Sequence, residues 1–340
     1  TGKHNTLIGG LAGDALTTGQ YNIALGYGAL SAEDSYGKAV AIGYNALASQ
    51  NASADTFNVA IGMEAGLAVT TGVNNTLVGG LAGDALTTGA GNTALGYQAL
   101  STEDTGGRNT AIGYQALKTS NYDGNAYNVA LGYAAGVGVT TGQGNTLLGS
   151  LAGYNLQGGH NNVAIGMQAL ESEDGHGYNV AIGNEALQTL NAGAHAYNVA
   201  VGFQAGHLMT TGIRNVIMGG LAGDAITTGG YNIAIGYTAL GSEDTGAKSV
   251  AIGYAALGLQ NYNGDAYNIA IGYSTGSEIS TGTNHTIIGS LAGDALTTGE
   301  GNVAIGKSAL STETTGGKNV AVGARAMEDL NNSGNGNNVS

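Results

Sequence analysis

Asn109-Thr-Ala-Ile-Gly-Tyr-Gln-Ala-Leu117 is one copy of a phrase that runs through the whole chain. Its first five residues return as Asn5-Thr-Leu-Ile-Gly9, Asn22-Ile-Ala-Leu-Gly26, Asn58-Val-Ala-Ile-Gly62, Asn92-Thr-Ala-Leu-Gly96 and Asn319-Val-Ala-Val-Gly323. With the asparagine as position 0, anchors fall at 5, 22, 39, 58, 75, 92, 109, 128, 145, 162, 179, 198, 215, 232, 249, 268, 285, 302, 319 and 338. These are nineteen complete copies and a twentieth cut off at Asn338, spaced 17, 17, 19, 17 and cycling with a superperiod of 70. Glycine holds +4 in every complete copy, and alanine holds +7 in all but one, where Thr275 stands. Ala39, Ser249 and His285 are the substitutes for the anchor asparagine.

Residues +1 and +3 are Val, Thr, Ile or Leu while +2 and +4 are mostly Ala and Gly, which is the period-two signature of a strand with one large and one small face. A second short strand is expected from +7, as at Ala99-Leu100 and Ala116-Leu117, and closing turns carry Thr-Gly, as at Thr88-Gly89 and Thr141-Gly142. A helix is disfavoured, because glycine every few residues costs about 1 kcal/mol each relative to alanine. A lone 17-residue turn holds too few apolar side chains to offset the entropy of ordering it, so successive turns must stack. The expectation is an all-β, parallel β-solenoid (β-roll) with 17/17/17/19-residue rungs, in which residues 1–340 form a single continuous repeat domain of about 19–20 rungs. At roughly 4.8 Å per rung the stack would make a rod of about 90 Å. The chain stops ten residues short of five superperiods, which suggests a piece of a longer fibre.

Composition agrees with such a stack. Of 340 residues 63 are glycine, none is proline, cysteine or tryptophan, and two are phenylalanine, so nothing interrupts backbone pairing and disulfide or thiolate chemistry is absent. A net charge of -14 with nine basic residues argues against a nucleic-acid partner, and no apolar run reaches membrane-spanning length. Stacked anchor asparagines are expected to bond one another as amide ladders do. Tyrosines at +5 (Tyr27, Tyr44, Tyr97, Tyr114, Tyr133, Tyr237, Tyr254 and Tyr273) are expected to form a broken aromatic ladder that shields the coil, or else to stack on sugars. The small Ala/Gly face would let a second backbone approach closely, which points to a homotrimer, with a monomeric coil as the alternative.

Phrases such as Asn58-Val-Ala-Ile-Gly62, Asn179-Val-Ala-Ile-Gly183 and Ser249-Val-Ala-Ile-Gly253 resemble the head repeats of trimeric autotransporter adhesins. Asn109-Thr-Ala-Ile-Gly-Tyr-Gln-Ala-Leu117 is similar to repeats of bacteriophage tail fibres. The resemblance covers nearly the whole chain, although the rung is longer than in the usual adhesin head. It implies a trimeric, left-handed β-roll working outside the cell or on a virion.

Acidic pairs recur with the superperiod at Glu33-Asp34, Glu103-Asp104, Glu173-Asp174 and Glu243-Asp244, with Glu313 alone, and Asp14, Asp84, Asp224 and Asp294 stand on the preceding rung. Oxygen ligands from adjacent rungs could hold calcium, with Glu103, Asp104 and Asp84 as one such set, or the acids could form a solvated edge that discourages lateral association. No other cofactor is expected. Lys38, Arg108, Lys248 and Lys318 share one phase and are expected to pair with nearby acids. The long rungs add loops at 50–57, 120–127, 190–197, 260–267 and 330–337, the first guess for contact with a cell-surface glycan or receptor; Tyr122, Asp123, Asn125, Tyr262, Asn263 and Asp265 are the named candidates. Six scattered histidines show no metal-ligand spacing and most are expected at the surface, and sequons at Asn51, Asn74, Asn284, Asn331 and Asn338 carry little weight in so asparagine-rich a chain. The functional expectation is a structural, adhesive extracellular fibre acting through many weak contacts, not an enzyme. The alternatives are a glycan-cleaving, tailspike-like fibre, which would need an unrepeated carboxylate pair, and an ice-binding solenoid, which would need a flat threonine face.

Overall fold

A computed structural model describes residues 2–331, 334 and 336–340, and among them there is no helix. Each complete phrase forms one three-residue strand, nineteen among the described residues, and the chain divides into two compact units. Unit 1 (Thr1–Gln168 and Ser172–Gly175) holds β1 (Thr6–Ile8) to β10 (Val163–Ile165); unit 2 (Ala169–Glu171 and His176–Ser340) holds β11 (Val180–Ile182) to β19 (Val320–Val322). Inside each unit every strand pairs in parallel with the next. Thr93, Ala94 and Leu95 lie beside Thr110, Ala111 and Ile112 in unit 1, and Ile233, Ala234 and Ile235 beside Val250, Ala251 and Ile252 in unit 2. The 19-residue rungs keep this register, since Val40 meets Val59, so the two added residues bulge out elsewhere. Each unit is a β-solenoid of the expected period.

The small face is the inside. The middle residue of nearly every strand is buried while its neighbours are half-buried or exposed, so alanines such as Ala24, Ala94 and Ala234 line the interior and the larger +1 and +3 side chains point out. The coil is thin enough for alanine at +2, alanine at +7 and leucine at +8 to fill it, as Ala94, Ala99 and Leu100 do. Where +2 carries Leu77, Leu147, Ile217 or Ile287, position +8 becomes Gly83, Gly153, Gly223 or Gly293. A methyl group added at Gly83 would come 2.8 Å from Leu77 Cδ2, and one at Gly153 would come 2.7 Å from Leu147 Cδ2. Bulk lost at one wall is restored at the other, as a close-packed interior requires.

No second strand forms. The residues from +5 to +10 are turns, with left-handed backbone at +6 and +8, as in Gln98 (φ 53°) and Leu100 (φ 55°). Turn-to-turn bonding continues through them, since the Leu100 N–H donates to the Ala116 carbonyl at 3.0 Å. A coil this narrow must reverse within a few residues, and three non-extended corners do so where a straight segment would not fit. Glycine at +4 makes the sharpest corner: Gly96 has φ +137°, and a Cβ there would strike the Gly113 carbonyl oxygen.

The anchor asparagines are buried and bond differently from an amide ladder. Asn75 Oδ1 accepts from the Asn92 backbone N–H at 2.9 Å, while Asn75 Nδ2 donates to the Gly89 carbonyl of its own closing turn at 2.9 Å. Amide-to-amide bonds are occasional, as from Asn145 Nδ2 to Asn128 Oδ1 at 3.2 Å. In the long rungs the closing carbonyl is displaced by the inserted loop, and Asn109 Nδ2 finds no protein partner. There the anchor shrinks. Ala39 and Ser249 occupy two of these positions, and the space is used by Gln50 and Gln260 from +11, with Gln260 Nε2 donating to Ser249 Oγ at 2.9 Å.

His285 is the third substitute and is buried, with Nδ1 accepting from the Asn302 N–H at 3.1 Å. Burial drives its pKa down from 6.5 to about 4, only partly countered by the Gly299 carbonyl. The unfolded chain therefore binds a proton between pH 6.5 and 4 that the folded chain refuses, so stability present above pH 6.5 is lost as pH falls. A shift of this size corresponds to about 3 kcal/mol. His285→Asn should remove that loss: urea midpoints of variant and wild type should coincide or nearly so at pH 7.5 and separate in the variant's favour by pH 4, and parallel profiles would contradict the assignment.

Candidate functional site

The recurring Glu-Asp pairs split between inside and outside. Glu103 is fully buried in the interior, with Oε1 accepting from the Gly106 N–H at 2.8 Å and Oε2 from the Ser120 hydroxyl at 2.9 Å. Asp104 is half-buried, and its Oδ1 caps the Thr105 N–H at 2.6 Å. Asp84 stands at +9 of the preceding rung, half-buried and under the influence of Glu64. Glu103 thus turns inward while Asp104 and Asp84 stay half-buried, and among the described residues the acidic and histidine ligand atoms that do come together are those of Glu173, Asp174 and His176, one superperiod on. Glu103 turns inward because it stands at +11, a position filled by Leu86, Val139, Met209 and Ile226 in other turns and by buried Glu33, Glu103, Glu173, Glu243 and Glu313 once per superperiod. The glutamates of the acidic pairs are interior residues, not members of a solvated edge.

These acids anchor polar chains within the core. Glu33 Oε2 accepts from Gln50 Nε2 at 3.2 Å, Gln50 Oε1 accepts from Asn58 Nδ2 at 2.9 Å, and the same relay runs through Glu243, Gln260 and Asn268 in unit 2. Burial pushes the Glu103 and Glu243 carboxyls above their ordinary value, against the opposing pull of Ser120 or Gln260 and of the Gly106 or Gly246 N–H. Burial likewise raises Asp84, Asp224 and Asp294.

The loops of the long rungs are tied to the rung before them. Tyr122 is half-buried with its N–H 3.5 Å from Glu103 Oε2, Asp123 Oδ1 accepts from the Thr105 hydroxyl at 3.0 Å, and Asn125 bridges to Gly107. In unit 2, Tyr262 N–H lies 3.4 Å from Glu243 Oε2, Asn263 Oδ1 accepts from Thr245 at 3.4 Å, and Asp265 bridges from Ala247. Asp123, Asn125, Asn263 and Asp265 remain exposed. Residues 332, 333 and 335 of the fifth loop, and with them part of the Asn331 sequon, lie outside the described residues.

Of the basic residues at -1, Lys38 and Lys248 pair with acids of the next loop as expected, whereas Arg108 Nη1 donates to the Tyr127 hydroxyl at 2.8 Å. Lys38 Nζ is 2.6 Å from Asp55, and Lys248 Nζ is 2.6 Å from Asp265, which raises the lysine pKa and lowers that of Asp265. Each lies over the ring one rung on: Lys38 is 5.2 Å from the Phe57 ring centre, and Lys248 is 5.2 Å from that of Tyr267. At +5 the tyrosines stack on one another, with centres 5.6 Å apart for Tyr97–Tyr114, 5.3 Å for Tyr114–Tyr133 and 5.2 Å for Tyr254–Tyr273. The broken aromatic ladder is therefore present, and its rings stay about half exposed.

A cavity of about 240 Å³ in unit 1 was missed in reading the sequence. Thr18, Gln20, Tyr21, Ser35 and Tyr36 line it, and the Lys38–Asp55 pair completes it. It spans three successive rungs, with each residue between -4 and -1 of an anchor. One signal was available: Tyr36 stands at -3, where most other 17-residue rungs carry glycine, as at Gly19, Gly89, Gly106 and Gly229, with His176 as the other exception.

The glutamate burial is testable. A folded-state pKa above the unfolded value means the stability Glu103 contributes is fully present below pH 4.5 and declines as pH rises through the raised pKa. Glu103→Gln keeps the Gly106 bond and lets Ser120 accept, so its urea midpoint should gain on wild type as pH rises from 4 to 8. A gap that stays constant with pH would refute the interior titration. No family model matches this chain, and neither does any curated protein or solved structure.

Proposed function

We propose that this chain is a segment of a trimeric extracellular attachment fibre, on a bacterial surface or a virion, that works by repeated weak contact and not by catalysis. The observation carrying this reading is the outward face of each strand ladder. Because small residues fill the interior, files of aliphatic side chains stand outside it: Ile23, Leu95 and Leu131 in unit 1 and Met218, Ile269 and Ile305 in unit 2 are 37–45% exposed. The +5 rings flank them, with Tyr97, Tyr133, Tyr237 and Tyr273 exposed as well. Contiguous apolar surface of this kind marks an association face, and a repeated sheet face is complementary to copies of itself under closed cyclic symmetry. On this reading the chains approach one another through the large-residue face, not the small one. A net charge of -14 would keep assembled fibres apart while leaving short-range contacts effective.

The threonine pairs favour this reading over ice binding. Thr87 Oγ1 donates to the Asp104 carbonyl at 3.0 Å and Thr227 Oγ1 to the Asp244 carbonyl at 3.0 Å, so the first threonine of each pair is spent on the next rung. Only Thr88 and Thr228 of those pairs face out, giving a single file and not a flat array. Many shallow contacts repeated along one fibre would yield attachment by avidity.

Native mass spectrometry tests the assembly. The expected mass is about 100 kDa, three chains of 33.4 kDa each. Leu95→Lys with Leu131→Lys should shift the population towards single chains without loss of strand signal, because both side chains point outward. A wild-type mass of 33.4 kDa at micromolar concentration would overturn the trimer.

A further inference from the structure

We infer that the Tyr21–Tyr36 cavity is a binding site for one neutral pyranose unit, a proposal that rests on the attachment reading and names its ligand class. Three features argue for it. The first is that the site breaks the repeat. One superperiod on, Tyr21 and Tyr36 are replaced by Gly91 and Gly106, two on by Asn161 and His176, and the equivalent edge of unit 2 keeps Tyr231, Lys248 and Asp265 but has Gly246 in place of the second ring, so no other copy holds both tyrosines. Residues that hold the coil together recur with the period; a residue that departs from it at a crowded position needs another reason. Position -3 is crowded, since a Cβ at Gly89 would strike the Gly106 carbonyl oxygen, yet Tyr36 stands there with its N–H donating to Glu33 Oε1 at 3.2 Å.

The second feature is chemical. Tyr21 and Tyr36 are 57% and 40% exposed, and His4 stacks 5.0 Å from Tyr21 on one side only. Tyrosines offer an apolar face for the C–H side of a sugar ring together with a hydroxyl at the rim. The Lys38 ammonium and Asp55 carboxylate sit 2.6 Å apart, so a donor and an acceptor stand side by side with no net charge, the arrangement that two neighbouring hydroxyls of a polyol can satisfy. Thr18, Gln20 and Ser35 add uncharged donors and acceptors. An acidic sugar is disfavoured, because Asp55 already neutralises the one cation of the site and the chain is strongly negative.

The third feature is size. At about 240 Å³ the cavity is smaller than the roughly 300–1,000 Å³ typical of sites that enclose a drug-sized ligand, which suits a single ring held from one side. Such a site is weak alone and gains through the number of chains that carry it.

The test is saturation-transfer NMR on the full chain with methyl α- and β-pyranosides of glucose, galactose and mannose, and with glucuronic acid as the charged comparison. At least one neutral pyranoside should receive transfer at its ring C–H protons. Tyr21→Ala and Tyr36→Gly should each weaken that binding at least tenfold while leaving the unfolding midpoint near wild type, and Asp55→Asn at least threefold. Tyr36→Gly installs the residue found at -3 in most other 17-residue rungs, and Tyr21→Ala and Asp55→Asn carry the test if it fails to fold. Absence of transfer from every neutral pyranoside, equal signals in wild type and both tyrosine variants, or transfer from glucuronic acid alone would overturn the proposal. A 100 kDa assembly with no sugar signal removes this site and leaves the fibre reading intact, whereas a tyrosine-dependent signal in a single chain does the reverse.

Discussion

The bond from each anchor asparagine to the backbone of the next rung is the constraint on which both units depend. Its Oδ1 takes the N–H of the following anchor, as Asn58 does for Asn75 at 2.8 Å, while its Nδ2 reaches the closing turn of its own rung, as to Gly72 at 2.7 Å. One side chain thus closes its own turn and fixes the height of the next. A buried amide left without these partners would be costly, so the rung spacing and the turn geometry are specified together. Hydrophobic packing alone could not do this, because an interior made mostly of alanine tolerates sliding along the axis. Glycine at +4 is the complementary requirement, since it lets one backbone come against the next without a Cβ between them.

The superperiod follows from the same narrow interior. Four kinds of rung share one cross-section, and each solves the volume problem differently: Leu or Ile with Gly at +2 and +8, Ala with Leu over a buried glutamate at +11, Ala with Gly, as Ala60 with Gly66, where Leu47 and Leu77 of the adjacent rungs close in, or a long rung whose anchor and +11 residue exchange size. The pairs Ala39 with Gln50, Ser249 with Gln260 and Asn109 with Ser120 show the last case. Once an inserted loop draws the closing carbonyl away, an anchor amide is half-satisfied, and a smaller anchor backed by a glutamine is an equivalent solution. The polar relay from Glu33 through Gln50 to Asn58 then links three rungs through the core.

Period, strand positions and register were legible in the sequence because they depend on backbone repetition, which leaves a mark at every copy: Asn at 0, Gly at +4, Ala at +7. The side on which the core would form was harder to read. Hydrophobic patterning assigns large apolar residues to the interior, and here Ile23 and Leu95 stand outside while Ala24 and Ala94 stand inside, an inversion set by the width of the coil and not by hydropathy. Glu103 was misplaced for a related reason: beside Asp104 it looks like half of an acidic patch, and only the identity of Leu86 at the same phase reveals an inward position. The second strand failed because left-handed corners at +6 and +8 carry residues as ordinary as Gln98 and Leu100, which do not signal positive φ. Tyr36 could have been noticed as an exception to glycine at -3, but its cavity could not, since it is assembled from three rungs.

Repetition and specificity pull in opposite directions in such a chain. Every element that stabilises the stack must recur, and whatever recurs along an edge presents a ladder, not a pocket. The stacked tyrosines at +5 show the consequence: half-exposed rings follow one another as a file, with nothing to mark one level from the next. A discriminating site therefore has to form where the period is broken by residues that the stack does not need, and where the disturbance can be absorbed. The edge between -4 and -1 meets both conditions. It lies outside the alanine interior. The asparagine bond there uses only a backbone carbonyl, as Asn22 Nδ2 does with Tyr36 at 3.3 Å, so the side chain at -3 is free to vary, and the long rung beside it already supplies an irregular loop. Asp55 comes from that loop, Lys38 from the anchor-preceding file, and Tyr36 from the exceptional -3 position, so one rung boundary combines the rigidity of the coil with chemistry that the repeat cannot provide. The same edge recurs once per superperiod with different residues, which lets successive boundaries differ in what they recognise while the frame beneath them stays the same.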